Sequence, residues 1–301
     1  MTEMTVEVIQ QVKAGYPLDA AQQRWVVDTH DIVQLGMVAT EARTRARGTR
    51  GTFVRVDLVP LADAATWEVA PDAGEARLMG APADLAAALA AVSALAGRTS
   101  VAVTGFTVHD LALAAGGQLG HWCAALRDAG LAAVSLARAD RLDDAWLGDV
   151  AKAGLMVNAL APGRPETGAA QLALLHQVRE WQERHRVFRA FQPLALEVPE
   201  TEPSTGYDDM RAVVAARLIL DNVDHVQVSW ARAGAKLSQA CLLFGADDID
   251  EVPARDAMPH GPRRSVLEEV RRNLVAVSLL PVERTGSFDD RAAPTPSGAG
   301  T

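Results

Sequence analysis

Apolar and polar positions along this chain follow two periods in turn. Runs that alternate with period two predict strands at FVRVDLVPL (53–61), EARLMG (75–80) and TSVAVTGF (99–106). Three more follow at LAAVSLA (131–137), LMVNALAP (155–162) and VFRAFQPLAL (187–196). Helical spacing fills the gaps at Ala83–Gly97, 119–130, 142–154 and 167–187, the last placing Leu172, Leu175, Val178 and Trp181 on one face. Ala83–Gly97 is nearly all alanine and leucine and closes on glycine, a combination of high helix propensity and a stop signal. Strand and helix therefore alternate from residue 53 to about residue 200, the order of a parallel sheet closed or partly closed into a barrel.

The flanks read differently. Residues 4–15 and 20–48 predict two helices, the second with Trp25, Val26, Ile32, Val33, Leu35 and Val38 at spacings that share a face. Arg43, Arg45 and Arg47 lead from it into the turn GTRGT. Beyond residue 205, helices are expected at 207–222, 235–246 and 263–278, with a short strand at DHVQVSWARAG (224–234). The resulting division is an N-terminal helical extension (1–52), a (β/α) barrel core (53–200), a C-terminal region completing and capping the barrel (201–284), and a Pro/Gly/Ser-rich tail (285–301) expected to be disordered.

Charge and composition narrow the function classes. The net charge is −9 and only 5% of residues are aromatic, so neither a phosphate-binding basic face nor a base-stacking surface is expected, and nucleic acid is an unlikely partner. No run approaches the roughly 20 apolar residues that span a bilayer, and MTEMTVEVIQQVKAGY lacks the features of a secretory signal. Cys123 and Cys241 stand far apart and form no disulfide framework, so a cytoplasmic location is the expectation.

One long string carries a resemblance. TGYDDMRAVVAARLILDNVDHVQVSWARAGAKLSQACLLFGADDID (205–250) is similar to the C-terminal signature of the radical S-adenosylmethionine (SAM) enzymes of menaquinone and deazaflavin synthesis: aminofutalosine synthase, dehypoxanthine futalosine cyclase and the second subunit of FO synthase. LHQVREWQERHRVFRAFQPLAL (175–196), AKAGLMVNALAPGRPET (151–167), the opening helices and PVERTGSF (281–288) resemble further family segments. The resemblance implies a radical-SAM-like (β/α) barrel, complete or partial, with helical extensions at both ends. It also implies a [4Fe–4S] cluster on a Cys-x3-Cys-x2-Cys loop after the first strand, and SAM on the cluster's open iron.

The chain departs from that pattern where the chemistry resides. DLVPLADAATWEVAPDAG (57–74) contains no cysteine and is shorter than the family's loop and helix. Met79-Gly80-Ala81-Pro82 replaces a Gly-Gly-x-x-Pro-like turn, Arg164 stands where the family usually shows a histidine, and LARADRLDD (136–144) replaces a Gly-rich stretch. Cluster and SAM are therefore expected to be absent. Two readings follow: a non-catalytic pseudoenzyme that partners an active radical SAM paralogue, or a cluster-free barrel that binds or transforms a futalosine-type nucleoside.

Candidate ligand contacts collect after the expected strands, where barrel enzymes place their polar groups. They are Glu166, Asn158, Gln192, Thr107, His109, Asp208 and Trp230. Each has a structural alternative. Glu166 and Asp110 suit helix N-termini, Asn158 and Gln192 suit satisfied buried amides, and Trp230 suits packing at the barrel mouth. Arg217 and Asp221 are spaced for an i,i+4 ion pair in the helix that also holds Asn222. GADDIDE (245–251) lacks EF-hand spacing and reads as a solvated loop; the pairs His176–His185 and His225–His260 match no metal motif.

Overall fold

The computed structural model describes residues 2–201, 203–255 and 265–291. Eight parallel strands close into a barrel: β1 (Arg50–Pro60), β2 (Glu75–Met79), β3 (Ala102–Thr107), β4 (Leu131–Arg138), β5 (Val157–Ala161), β6 (Phe188–Phe191), β7 (His225–Ser229) and β8 (Asp248–Pro253). They pair in chain order, and β1 closes the ring by pairing with both β8 and β2. The fold class expected from the alternation is the fold observed, with the barrel complete.

Helices coat the outside. After β2 come α4 (Leu85–Ala96), then α5 (Val108–Ala115) and α6 (Leu119–Asp128) after β3. Next are α7 (Asp144–Lys152), α8 (Gly168–His185), α9 (Gly206–Ile219), α10 (Trp230–Leu243) and α11 (Val266–Ala276). The alanine-rich α4 buries Ala88, Ala91, Val92 and Leu95, small side chains that let a helix lie close on a strand layer. Before the barrel the chain forms α1 (Glu3–Ala14), α2 (Ala20–Asp28) and α3 (Ile32–Arg47). The helix expected at 20–48 is thus two helices. Asp31 caps α3 by accepting from the Gln34 N–H, and Thr29 ends α2 in an extended conformation, so two opposed end signals meet within three residues.

Only 14 residues join β1 to β2, and they carry one short 3-10 turn (Leu61–Asp63) in place of a full helix. This connection is pinned to the outside of the barrel by one carboxylate. Asp57 accepts from the Ala70 N–H (2.7 Å), Trp67 Nε1 (3.2 Å) and Arg255 Nε and Nη2 (3.0 and 2.9 Å). Burial alone would raise the Asp57 carboxyl, but the Arg255 and Ala70 hydrogen bonds outweigh it and hold it below its ordinary value.

A ninth strand, β9 (Leu280–Glu283), pairs in parallel with the first residues of β1, while β2 takes the last residues of the same strand. The chain then turns under the N-terminal end of the barrel. Arg284 is 1% exposed and grips Asp248 through Nε and Nη2 (2.7 and 2.8 Å), with the Phe288 ring 3.7 Å from its guanidinium carbon. Asn158 Nδ2 donates to the Gly286 carbonyl (2.8 Å), and Gly286 N–H donates to the Gly74 carbonyl (3.0 Å). A Cβ at Gly286 would lie 2.7 Å from Glu75 Cγ, so only glycine lets the plug pass. Residues 285–291, expected in the disordered tail, instead close the barrel floor. Residues 292–301 of that tail, residues 263–264 of the last expected helix and His260 lie outside the described residues.

Candidate functional site

With residues 285–291 at its floor, the barrel opens at the C-terminal ends of its strands. There a cavity of about 270 Å³ is bounded below by Arg77, Asp250 and Glu251, and at its sides by Phe106, Thr107, Ser135, Leu136, Ala159, Gln192 and Arg232. Met79, Gly80 and Ala81 form its β2 wall. Leu58 shares the lumen face of β1 with Arg77 of β2, and Pro60 pairs with Met79. Leu58 is 43% and Met79 46% exposed, so an apolar wall stands open beside the short β1–β2 connection.

The polar side of this cavity is built by an irregularity in β8. Between the pairs Phe53↔Ile249 and Arg55↔Val252, β8 carries one more residue than β1, and Glu251 adopts the left-handed region at φ 56°. A regular strand turns successive side chains to opposite faces. The bulge releases that constraint, so Asp250 and the next residue, Glu251, both border the cavity. Phe106, at the end of β3, also has a positive φ (61°). Non-glycine residues held in this region concentrate at functional sites.

Ion pairs fix the carboxylates beneath the cavity. Arg77 donates to Glu75 (2.7 Å) and to both oxygens of Asp250 (2.8 and 3.0 Å), and reaches Glu251 at 3.4 Å. Thr104 donates to the same Glu75 oxygen, while Glu75 Oε2 has no hydrogen-bond partner. Burial would raise the Asp250 carboxyl, but Arg77 outweighs it and Asp250 is held low. Glu251 goes the other way: burial and then the Asp250 charge push its carboxyl above the ordinary glutamate range, despite the hydrogen bond donated by Ser229.

This overturns the reading of residues 245–251 as a solvated loop. Asp247, Asp248 and Asp250 are 1%, 0% and 5% exposed. Asp248 accepts from Arg284, Gln227 (2.7 Å) and Thr52 (2.6 Å) inside the barrel. Asp247 accepts from Arg217 and His225, which overcome its burial and hold it well below the usual carboxylate range. Arg217 therefore does not pair with Asp221, which faces Arg179 at 3.5 Å; Asn222 donates to the Arg179 carbonyl (2.9 Å).

The residues singled out from sequence scatter. Thr107 and Gln192 reach the mouth; Thr107 also caps α5 by accepting from the Asp110 N–H (3.0 Å). Gln192 lies just past β6, which ends at Phe191, short of the strand expected through 196. Asn158 is at the opposite end, its Oδ1 accepting from Arg189 (3.0 Å), so it holds the plug and does not face the mouth. Glu166 and Asp208 line a separate shallow groove between α8 and α9, where Asp208 completes a capping box with Thr205. His109 lies against Trp146 with ring centroids 6.0 Å apart, outside the cavity lining. Trp230 opens α10 and is 8% exposed in the core. Arg77, Asp250, Glu251 and Arg232 were missed. An arginine in the middle of EARLM and three acids in a strand-length segment were the available signals.

The residues present do not fit a three-thiolate cluster. The chain has two cysteines, Cys123 on α6 and Cys241 on α10, and both are fully buried. Burial pushes each thiol up to about 12, so neither supplies a thiolate near neutral pH. Among the described residues no three His, Cys, Asp or Glu side chains are placed to hold a metal ion.

No family model matches the chain. Among curated proteins it is similar to the 5-amino-6-(D-ribitylamino)uracil–L-tyrosine 4-hydroxyphenyl transferase of Haloarcula marismortui, 30% identical over 49% of this chain and 37% of that protein. The cyclic dehypoxanthine futalosine synthase of Streptomyces coelicolor is 35% identical over 42% of this chain and 34% of its own. The aminodeoxyfutalosine synthase of Thermus thermophilus is 29% identical over 45% and 40%. The match thus spans less than half the length of these relatives. Among solved structures, methylornithine synthase (PylB) superposes with a TM-score of 0.67 over 91% of this chain and 97% of its own, at 11% identity. The [FeFe]-hydrogenase maturase HydG gives 0.65 over 96% and 77%, at 10% identity.

Proposed function

We propose that this chain belongs with the radical SAM enzymes of the futalosine and deazaflavin pathways, and that it is a cluster-free member whose barrel mouth binds a futalosine-type nucleoside. The observation that carries the reading is the open cavity over Arg77, Asp250 and Glu251, with polar groups converging from four strands and apolar walls at Met79, Phe106 and Leu136. A site with an apolar body and a few fixed polar groups is what small-molecule recognition requires. Its volume of about 270 Å³ is near the lower end of the roughly 300–1,000 Å³ usual for such sites. Two buried, protonated thiols cannot stand in for the cluster's three ligands, so reductive cleavage of SAM is no part of this reading.

Thermal unfolding in the presence of futalosine, aminodeoxyfutalosine and SAM tests it. Ligand at 100 times its dissociation constant adds about 2.7 kcal/mol of stability. The reading expects a nucleoside to raise the midpoint and SAM to leave it unchanged. A rise with SAM alone would contradict it.

One observation favours the partner reading as a second possibility. On α3, Val33 and Met37 are 68% and 50% exposed, and the Thr40 hydroxyl donates to the carbonyl of Leu243, itself 52% exposed. Val33 and Met37, one helical turn apart, leave apolar side chains open to a partner protein. Co-purification that is lost in Met37→Glu, with nucleoside binding absent, would favour it.

A further inference from the structure

Two hydrogen-bond donors at the mouth make no hydrogen bond to an anion among the described residues, although Glu251 and Asp209 lie near enough to act on the Arg232 charge. Gln192 is 4% exposed, and its Oε1 accepts from Arg232 Nη1 at 3.2 Å. That contact fixes the amide orientation, so Nε2 faces the cavity, where it makes no hydrogen bond among the described residues. The Arg232 guanidinium, exposed at the rim, donates only to neutral oxygens, Gln192 Oε1 and the Ala195 carbonyl. No carboxylate pairs with it among the described residues. Arg77 and Arg284, in contrast, are both tied to carboxylates within the barrel. Gln192 Nε2 is not sealed off from solvent, so the acceptor of an incoming ligand can reach it. A guanidinium beside an amide N–H matches the paired oxygens of a carboxylate.

We propose that the Gln192–Arg232 corner of the mouth binds the carboxylate of a small organic acid whose apolar part lies against Phe106, Leu136 and Met79. The proposal rests on the mouth being a ligand site and names the group that the site reads. Glu251 makes the binding depend on pH. The groups facing it are Asp250 on its own strand, Arg77 on β2, Ser229 on β7 and Arg232 on α10, with Asp110 across the mouth. A neutral Glu251 leaves the corner cationic, whereas an ionised Glu251 repels an incoming carboxylate.

Titration calorimetry with hexanoate, hexanamide and hexylamine on the full chain tests this. Hexanoate is expected to bind, hexanamide to bind about tenfold more weakly, and hexylamine not to bind. Arg232→Gln and Gln192→Ala should each weaken hexanoate by about tenfold, the scale of one charge-assisted hydrogen bond, with unchanged thermal unfolding. Wild-type affinity should fall as pH rises through the Glu251 titration, and Glu251→Gln should flatten that profile. Preference for hexylamine, or hexanoate affinity untouched by both corner variants, would overturn the proposal. Nucleoside binding without hexanoate binding would sink the corner assignment alone; hexanoate binding without nucleoside binding would sink the nucleoside reading alone.

Discussion

Replacing Arg284 by methionine tests how the barrel floor is held. The side chain is 2% exposed and its partner Asp248 is 0% exposed, joined by two hydrogen bonds of 2.7 and 2.8 Å. Methionine keeps much of the apolar volume but leaves Asp248 with only the Gln227 amide and the Thr52 hydroxyl. Removing one member of a buried ion pair costs about 3–5 kcal/mol, because a charge stays behind without compensation. The stacking of Arg284 on Phe288 is lost as well, at about 1 kcal/mol. At roughly 2–4 °C per kcal/mol for a large domain, the melting midpoint should fall by about 8–24 °C. Urea unfolding with an unchanged m-value gives the free energy directly. Adding Asp248→Asn to Arg284→Met should recover part of the loss, since the stranded charge is then gone. A loss below about 1 kcal/mol in the single variant would refute the argument, since the floor would then be held by something other than this pair.

Three further outcomes follow from named contacts. Asp57→Ala should destabilise the chain by about 2–3 kcal/mol and alter Trp67 fluorescence, because the β1–β2 connection loses its anchor. Asp57 titrates below its unfolded value, so its contribution is present above about pH 4 and lost as pH falls through the folded titration, which acid unfolding of wild type against the variant would reveal. Glu251 has the opposite sign: its folded titration is raised, so its contribution is full below about pH 4 and is lost as pH rises. Glu251→Gln should therefore gain stability relative to wild type as pH rises above the ordinary glutamate range, as read by thermal unfolding against pH. Cys123 and Cys241, with thiols pushed up to about 12, should resist a thiol reagent at pH 8 until denaturant is added.

The barrel was legible because its signal is redundant. Six alternating runs separated by helical runs admit few parallel arrangements, and Ala83–Gly97 can be little but a helix. The site was legible only in part, for three physical reasons. First, period two assigns Asp250 and Glu251 to opposite faces, and one extra residue in β8 cancels that rule without leaving a mark in the sequence. Second, position along a strand decides which end of a barrel a residue serves. Asn158 is the second residue of β5 and Gln192 lies just past β6, so only the latter reaches the mouth. Third, composition makes residues 285–291 look like a tail, yet the glycine that suggests disorder is required to pass Glu75. The acids of 245–251 misled for a related reason. Their partners Arg284, Arg77 and Arg217 lie on distant elements, and only the closed ring brings them together.

The account stands most directly on what enters the mouth without iron. Two exposed methionines report on its two surfaces: Met79 at 46% on the mouth wall and Met37 at 50% on α3. Methyl NMR of methionine-labelled protein, with both signals assigned by Met→Leu variants, would follow each as futalosine or aminodeoxyfutalosine is added to iron-free protein. The account predicts that the Met79 methyl shifts in a saturable manner, that Met37 does not move, and that Arg232→Gln weakens the response. A Met79 signal that stays in place at millimolar nucleoside would contradict it.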